Sequence, residues 1–192
     1  MAIGKTYFYG VKDGKIAPII ADTSTTYTTD TQIDIDKVKG FSITPQLDEK
    51  EATGDNGVVG ATRIKNKGYD VSFQQAVVDA ATLKAINGWT ETITDPGGPA
   101  EIVTLTENQD DIPAYFNLMV KPEVSAVDGD VGGAYEEFYK VRGVLSIEYQ
   151  EEQYGVVSFQ GKAIFSNNHT AIRSMRFFKV DADLTSPTQV TP

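Results

Sequence analysis

Two alternating segments, Lys37-Val-Lys-Gly-Phe-Ser-Ile-Thr-Pro-Gln-Leu47 and 62–77, decide the fold of this chain. In each segment apolar side chains occupy every second position and polar side chains lie between them. The apolar positions are Phe41, Ile43, Leu47, Tyr69, Val71, Phe73 and Val77. A period of two over this length is typical of half-buried β-strands. We therefore predict two strands, each with one face in a core.

The connection between these segments is Asp48-Glu-Lys-Glu-Ala-Thr-Gly-Asp-Asn-Gly-Val-Val-Gly60. Its length, charge and glycine content predict a long loop, of the kind that is usually functional or disordered. Val58 and Val59 directly follow its polar tip, although a solvated loop gains nothing from apolar side chains. The pattern predicts a surface that becomes buried against another molecule.

Further alternation predicts more strands before and after this pair. Asp13-Gly14 lies between β-prone residues and predicts a hairpin turn, and both faces of 114–120 are apolar, which predicts a fully buried strand. Alternation in 135–149 and again in 157–165 predicts a long antiparallel hairpin with one apolar and one polar face. Residues 173–180 could add an edge strand.

One short helix is predicted after the second segment. Asp79 is a good N-cap, and Gly88 can adopt the left-handed conformation that ends a helix. With these strands, the helix indicates a mainly β fold: an antiparallel β-sandwich or half-barrel with one short α-helix and a long inter-strand loop. We expect one domain over residues 1–180 and a polar, poorly ordered tail over 181–192.

Composition limits the possible functions. The chain has 192 residues, of which 40% are apolar and 23% charged, and it has no cysteine, so it can form one substantial core without disulfides. No segment resembles a membrane span or a signal peptide, and we expect no membrane association. The net charge of −10 disfavours tight nucleic-acid binding, but it suits a conduit that must not retain DNA; it could equally serve solubility alone.

Catalytic and metal-binding patterns are weak. His169 is the only histidine and has no nucleophile motif beside it. Asp128-Gly-Asp130 matches only part of a calcium loop, so an ion there stays an open question. Arg63, Lys65 and Lys67 form a basic stripe that is either an ordinary exposed face or a partner for an acidic loop of a neighbouring copy. We predict no cofactor and no enzymatic activity.

The segment LDEKEATGDNGVVGATRIKNKGYDVSF (47–73), between an N-terminal strand pair and the short helix, resembles the major tail tube proteins of long-tailed, non-contractile bacteriophages. The resemblance extends from about Gly4 to Phe178 in length, order of elements and loop character. It implies a structural virion protein, made in the host cytoplasm, that forms stacked hexameric rings with a continuous inner β-barrel. DNA is ejected through that tube without specific binding.

This resemblance also implies roles for particular residues. The loop would stack the rings through Glu51, Ala52, Thr53, Gly54, Asp55, Asn56, Gly57, Val58 and Val59. The polar face of the long hairpin would line the lumen, with the candidate residues Glu136, Lys140, Arg142, Glu148 and Lys162. Partners would be further copies of the chain and other tail proteins: the tape measure, terminator and tail tip.

Two other interpretations stay open from the residues. The first is a tube protein of a contractile phage or secretion system, which shares the fold. The second is a monomeric β-sandwich binding module, of adhesin or carbohydrate-binding type, which predicts exposed aromatic side chains clustered in one groove. An enzyme is the least favoured class.

Overall fold

The computed structural model describes residues 6–35, 37–53, 59–126, 133–149 and 156–178. These residues form eleven strands and one helix. The elements are β1 (Thr6–Asp22), β2 (Tyr27–Thr29), β3 (Ile33–Asp34), β4 (Val38–Thr53), β5 (Val59–Gln75), α1 (Ala80–Asn87), β6 (Thr90–Thr94), β7 (Ile102–Thr106), β8 (Phe116–Ala126), β9 (Gly133–Glu148), β10 (Val156–Ala163) and β11 (Arg173–Phe178). The predicted mainly β class with one short helix is confirmed.

The main sheet has the strand order β2-β1-β8-β9-β10-β5-β4, and all its described pairings are antiparallel. Strand β9 joins its two halves. One edge of β9 pairs with β8, while the other edge pairs first with β11 and then with β10. The connector between β10 and β11 returns to β9, because Ile164 N donates to Lys140 O and Tyr139 N donates to Ile172 O. Strand β3 pairs with β1, and β6 and β7 form a separate ribbon.

A β-bulge in β9 changes which side chains face the core. Phe116 pairs with Val141 and Leu118 pairs with Phe138, so one residue of β8 lies opposite two residues of β9, Tyr139 and Lys140. The extra residue shifts the side-chain alternation by one position. Phe138 belongs to the core before the bulge and Val141 after it. The predicted single apolar face along 135–149 is therefore wrong in its first half.

Aromatic and branched side chains from both halves of the sheet form one core. Its buried members include Ile16, Val71, Phe73, Phe116, Leu118, Phe138, Val141, Leu145 and Phe159. Phe73 and Phe159 stack at 4.7 Å between ring centroids, and Phe116 meets Phe159 edge-on at 5.7 Å. Strand β1 also contacts β4, although the two strands are far apart in the sheet order. The sheet therefore bends around this core.

Helix α1 follows its predicted capping. The Asp79 carboxylate accepts a hydrogen bond from Thr82 N at 2.7 Å, and Gly88 ends the helix with φ of 75°. Leu83 and Ile86 are buried in the core, and the Asn87 side chain bonds to both backbone groups of Leu145. Among the described residues, no helix is long and apolar enough to cross a membrane.

Two predicted loops are strand instead. Asp13-Gly14 lies inside β1, where the Asp13 carboxylate accepts from Gly14 N and β8 pairs continue on both sides of a local irregularity. The predicted loop 48–60 is also mostly strand: β4 continues to Thr53 and β5 begins at Val59, with Asp48 opposite Lys65. Pairing with the partner strand satisfies the backbone of both segments, and it outweighs their turn-forming residues.

We predict that Gly161→Ala destabilises the fold. A Cβ atom at residue 161 would lie 2.5 Å from the Phe159 ring and 2.7 Å from the Arg142 carbonyl oxygen. Overpacking of this kind costs about 1–3 kcal/mol of unfolding free energy, which urea denaturation measures. Gly10→Ala is the control, because nothing lies within 4 Å of a Cβ there. Equal stability of the two variants would contradict the packing described.

Candidate assembly surfaces

The first candidate surface is one side of the four neighbouring strands β4, β5, β10 and β9, which we call the polar face. Its side chains are opposite the core, and their direct pairing across the strands forms rows. The rows are Lys39–Gln74–Ser158–Ser146, Ser42–Ser72–Gln160–Val144 and Thr44–Asp70–Lys162–Arg142. No described element covers these rows, and most of their side chains are exposed or half-buried.

Hydroxyl and amide groups dominate the polar face. Its charges are concentrated at the ends, in the row that holds Asp70, Lys162 and Arg142 and at Lys39 and Glu148. Gln46 Nε2 donates to the Asp70 carboxylate at 2.7 Å. Hydroxyls and amides can bind water or a passing solute, but they do not hold a polyanion by counterion release.

The second candidate surface is a two-stranded extension, which we call the hairpin arm: residues 46–53 of β4 and 59–68 of β5. Strand β10 pairs with β5 only from Tyr69 onward, so the arm has no third strand among the described residues. Leu47 and Ile64 are each 60% exposed on it. An isolated two-stranded hairpin is marginally stable in water. The arm therefore lacks the support that the rest of the sheet has.

The predicted stacking residues fall at the end of this arm. Glu51, Ala52 and Thr53 are the last residues of β4, and Val59 is the first residue of β5. Gly54, Asp55, Asn56, Gly57 and Val58 lie outside the described residues, as do Asp128, Asp130 and the tail 181–192. The sequence located the region correctly but did not predict that strand pairing reaches Thr53.

The five candidate lumen residues do not share one exposed face. Glu148 and Lys162 are exposed on the polar face. Arg142 is in the same row as Lys162, but it is half-buried, with its Nε donating to Pro113 O at 2.8 Å and its guanidinium over the Tyr115 ring.

Lys140 and Glu136 correct the prediction of a single polar face along β9. Lys140 Nζ lies 2.7 Å from the Asp22 carboxylate, with 14% of the lysine side chain exposed. Glu136 is buried, and its carboxylate lies 2.5 Å from Arg173 Nη1. The bulge at Tyr139–Lys140 breaks the alternation, and an opposite charge lets each side chain be buried. The serines and glutamines of the polar face were not selected as candidates, because the sequence does not show which strands are neighbours.

Buried carboxylates attach β11 to β9 on both of its faces. Arg173 pairs with Glu136, and Arg176 approaches Glu137 at 3.7 Å. Burial raises the pKa of Glu137, although the hydrogen bond from Asn117 and the Arg176 charge oppose that rise. Burial likewise raises the pKa of Glu136 despite Arg173. In both cases desolvation outweighs the nearby cation.

Asp22 has the opposite balance. Burial alone would raise the pKa of its carboxyl, but hydrogen bonds from Lys140, Ser166 and the Asn168 backbone lower the pKa overall. These bonds tie the connector between β10 and β11 to the end of β1. Asp22 is therefore a structural carboxylate that holds three elements together.

His169 belongs to the same connector and is packed between aromatic rings. Its ring stacks on Tyr139 at 3.9 Å and meets Tyr27 edge-on at 4.5 Å. Burial lowers its pKa. Ser166 bonds to Asp22 through its hydroxyl and receives only the backbone N–H of His169. The three residues are close in space, but their bonding is that of a folded connector and lacks the serine–imidazole bond of a catalytic triad.

Comparison with known proteins adds no relative. No protein-family model matches the chain, and no curated protein matches it in sequence. Functional inference therefore depends on the two surfaces and on the resemblance carried by residues 47–73.

We predict that Glu137→Gln becomes relatively more stable as pH rises. A raised folded-state pKa means that ionising Glu137 costs the folded state free energy, so its contribution is fully present below the ordinary value of 4.5 and is lost as pH rises through the raised pKa. Urea denaturation from pH 4 to pH 8 should show the variant gaining on the wild type. A constant difference across that range would contradict burial of an ionisable Glu137.

Asp22→Asn provides the control of opposite sign. A lowered folded-state pKa stabilises the protein above the ordinary value of 3.8, and this stabilisation is lost as pH falls through the folded value. The penalty of the substitution should therefore be full at neutral pH and shrink in acid. If both variants change in the same direction, a general charge effect explains the data better than these two sites do.

Proposed function

We propose that this chain is a structural virion protein whose copies form stacked hexameric rings, and that the stack is the tail tube through which phage DNA is ejected. The hairpin arm is the observation that carries the proposal. A two-stranded extension with exposed Leu47 and Ile64 gains a partner if another subunit covers it. Burying a leucine or isoleucine fully contributes about 1.5–3 kcal/mol.

Lateral contacts in this proposal use the edge of the sheet. Strand β4 pairs with β5, and its other edge has no backbone ladder among the described residues. A free edge of this length is a template for pairing with another chain, and a closed ring removes it. Six copies would then join their bent sheets into one inner barrel, with α1 on the side away from the lumen.

The polar face would be the lumen wall. It is the uncovered side of the strands that would form the barrel, whereas their other side packs into the core. Its serines, threonine and glutamines are neutral, and Asp70 offsets the neighbouring Lys162. DNA could slide past such a wall, since no continuous row of cations would hold its phosphates.

Other tail proteins would bind the ends of the tube by the same resemblance: a tape measure inside it, a terminator and the tail tip. A tube of a contractile system would use the same surfaces. The runner-up, a monomeric binding module, predicts clustered exposed aromatics. Among the described residues the three most exposed aromatic side chains, Phe8, Tyr149 and Phe165, belong to β1, the end of β9 and the connector after β10.

Light scattering and negative-stain microscopy of the purified protein test the proposal. We expect rings or tubes that persist in moderate salt, because edge pairing and apolar burial carry the lateral contacts. A strictly monomeric protein across a wide concentration range would favour the binding module instead.

We predict that deletion of 53–59 separates ring formation from stacking. The deletion shortens the arm but leaves Tyr69–Gln75 paired with both β10 and β4, so the subunit should fold and the lateral edge should remain. Microscopy should show single rings in place of tubes. Long tubes formed by the deletion variant would show that the arm is only a connector.

We also predict that a basic polar face slows DNA passage. Gln160→Lys with Ser146→Lys adds two cations to neighbouring rows of the polar face, and these should hold DNA phosphates by counterion release. Phage particles with this variant should assemble tubes but eject DNA slowly, with recovery as salt rises. The control is Thr92→Lys with Thr104→Lys, an exposed pair on the separate ribbon. Equal ejection kinetics in both variants would exclude the polar face as the lumen wall.

A further inference from the structure

The strand register of the hairpin arm separates its side chains into two unlike faces. Lys50 is directly opposite Arg63, and Asp48 is directly opposite Lys65. Directly opposed residues of an antiparallel pair point to the same side of the sheet. These four side chains therefore share one side, which we call the basic face. Leu47, Glu49, Ile64 and Asn66 share the other side.

Cations outnumber anions on the basic face. Lys67, at the irregularity beside it, pairs with the Asp48 carboxylate at 3.1 Å. Lys50, Arg63 and Lys65 are exposed and make no ion pair with another described residue. The basic stripe predicted from Arg63, Lys65 and Lys67 is thus wider than the sequence of one strand shows, since Lys50 joins it from β4.

Direct opposition of Lys50 and Arg63 is unfavourable within the subunit. Like charges opposite each other destabilise a pair of strands, and this pair lies where no third strand supports the ladder. An acidic partner on the basic face would reverse that effect. This gives the basic face a chemical preference for carboxylates.

We propose that the basic face of the arm binds carboxylates at the far end of a second copy of this chain. The arm leaves the four-stranded sheet beyond Tyr69, and the opposite end of the same strands is the row of Gln75, Val157 and Ile147. Exposed Glu148 follows Ile147 there. The inference rests on the proposed function, because stacked copies in one orientation bring the arm of one subunit to that end of the next.

A second copy fits the charges better than nucleic acid does. The chain has a net charge of −10, so the rest of each subunit carries an excess of carboxylates. The sequence that follows Glu148, residues 149–155, contains two glutamates and no lysine or arginine. A head-to-tail contact between a basic and an acidic end also repeats without limit, as a growing stack requires.

Charge reversal of the basic face tests the inference. The variant Lys50→Glu with Arg63→Glu should form single rings but no stacks in sedimentation velocity and microscopy. The control, Lys37→Glu with Lys39→Glu, makes the same change in net charge on exposed residues at the other end of β4, and it should stack normally. Adding Glu148→Lys to the reversed variant should restore stacking. Wild-type stacks should also shorten as salt rises from about 0.05 M to about 0.5 M, because screening weakens exposed ion pairs.

The outcomes separate this inference from the proposed function. A wild-type protein that stays monomeric overturns both. Wild-type stacks together with unchanged stacking of the reversed variant overturn the inference alone, and so does an equal loss of stacking in the control. Binding of a duplex oligonucleotide by wild-type rings, lost in the reversed variant while stacking persists, would assign the basic face to DNA instead. Circular dichroism of each variant establishes that it is folded.

Discussion

The pairing of β9 with three other strands is the constraint on which this structure depends. Without it, the β1–β8 pair and the β4–β5–β10 group have no common backbone ladder. The bulge at Tyr139–Lys140 makes the double role possible. It points Phe138 and Val141 into one core, and the connector between β10 and β11 hydrogen-bonds to β9 at this same place. A regular strand there would turn one of these two side chains away from the core.

Support for the sheet is unequal along its strands, and the proposed function follows from that inequality. Near Phe73 and Phe159 the strands are packed on one side by a dense aromatic core. Beyond Tyr69 the β4–β5 hairpin continues without a third strand or an apolar layer. Such an extension adds little to the stability of the single subunit. It becomes favourable when a neighbouring molecule supplies the missing contacts, which is why we place assembly there.

Local patterns in the sequence predicted the elements but not their neighbours. Asp79 and Gly88 were sufficient to place α1, because helix capping depends on residues a few positions apart. The hairpin of β9 and β10 was likewise predicted from alternation and confirmed. Asp13-Gly14 misled because pairing of β1 with β8, more than 100 residues away in sequence, overrides a turn preference.

The candidate site shows the same limit. Alternation placed Glu136 and Lys140 on an exposed polar face, but a one-residue bulge and the partners Arg173 and Asp22 bury both. Neither partner is close to them in sequence. The basic face was visible in part as Arg63, Lys65 and Lys67. Lys50 joins them only through strand register, which a single sequence does not specify.

Hydrogen exchange of the arm in free and assembled protein tests the central claim most directly. Amides of 46–53 and 59–68 should exchange rapidly in the isolated subunit, because a two-stranded hairpin opens easily. In the assembled protein the same amides should become strongly protected, whereas those of Val71 and Phe73 in the core should be protected in both states. Unchanged exchange of the arm on assembly, or an assembly that forms with protection elsewhere only, would contradict the account.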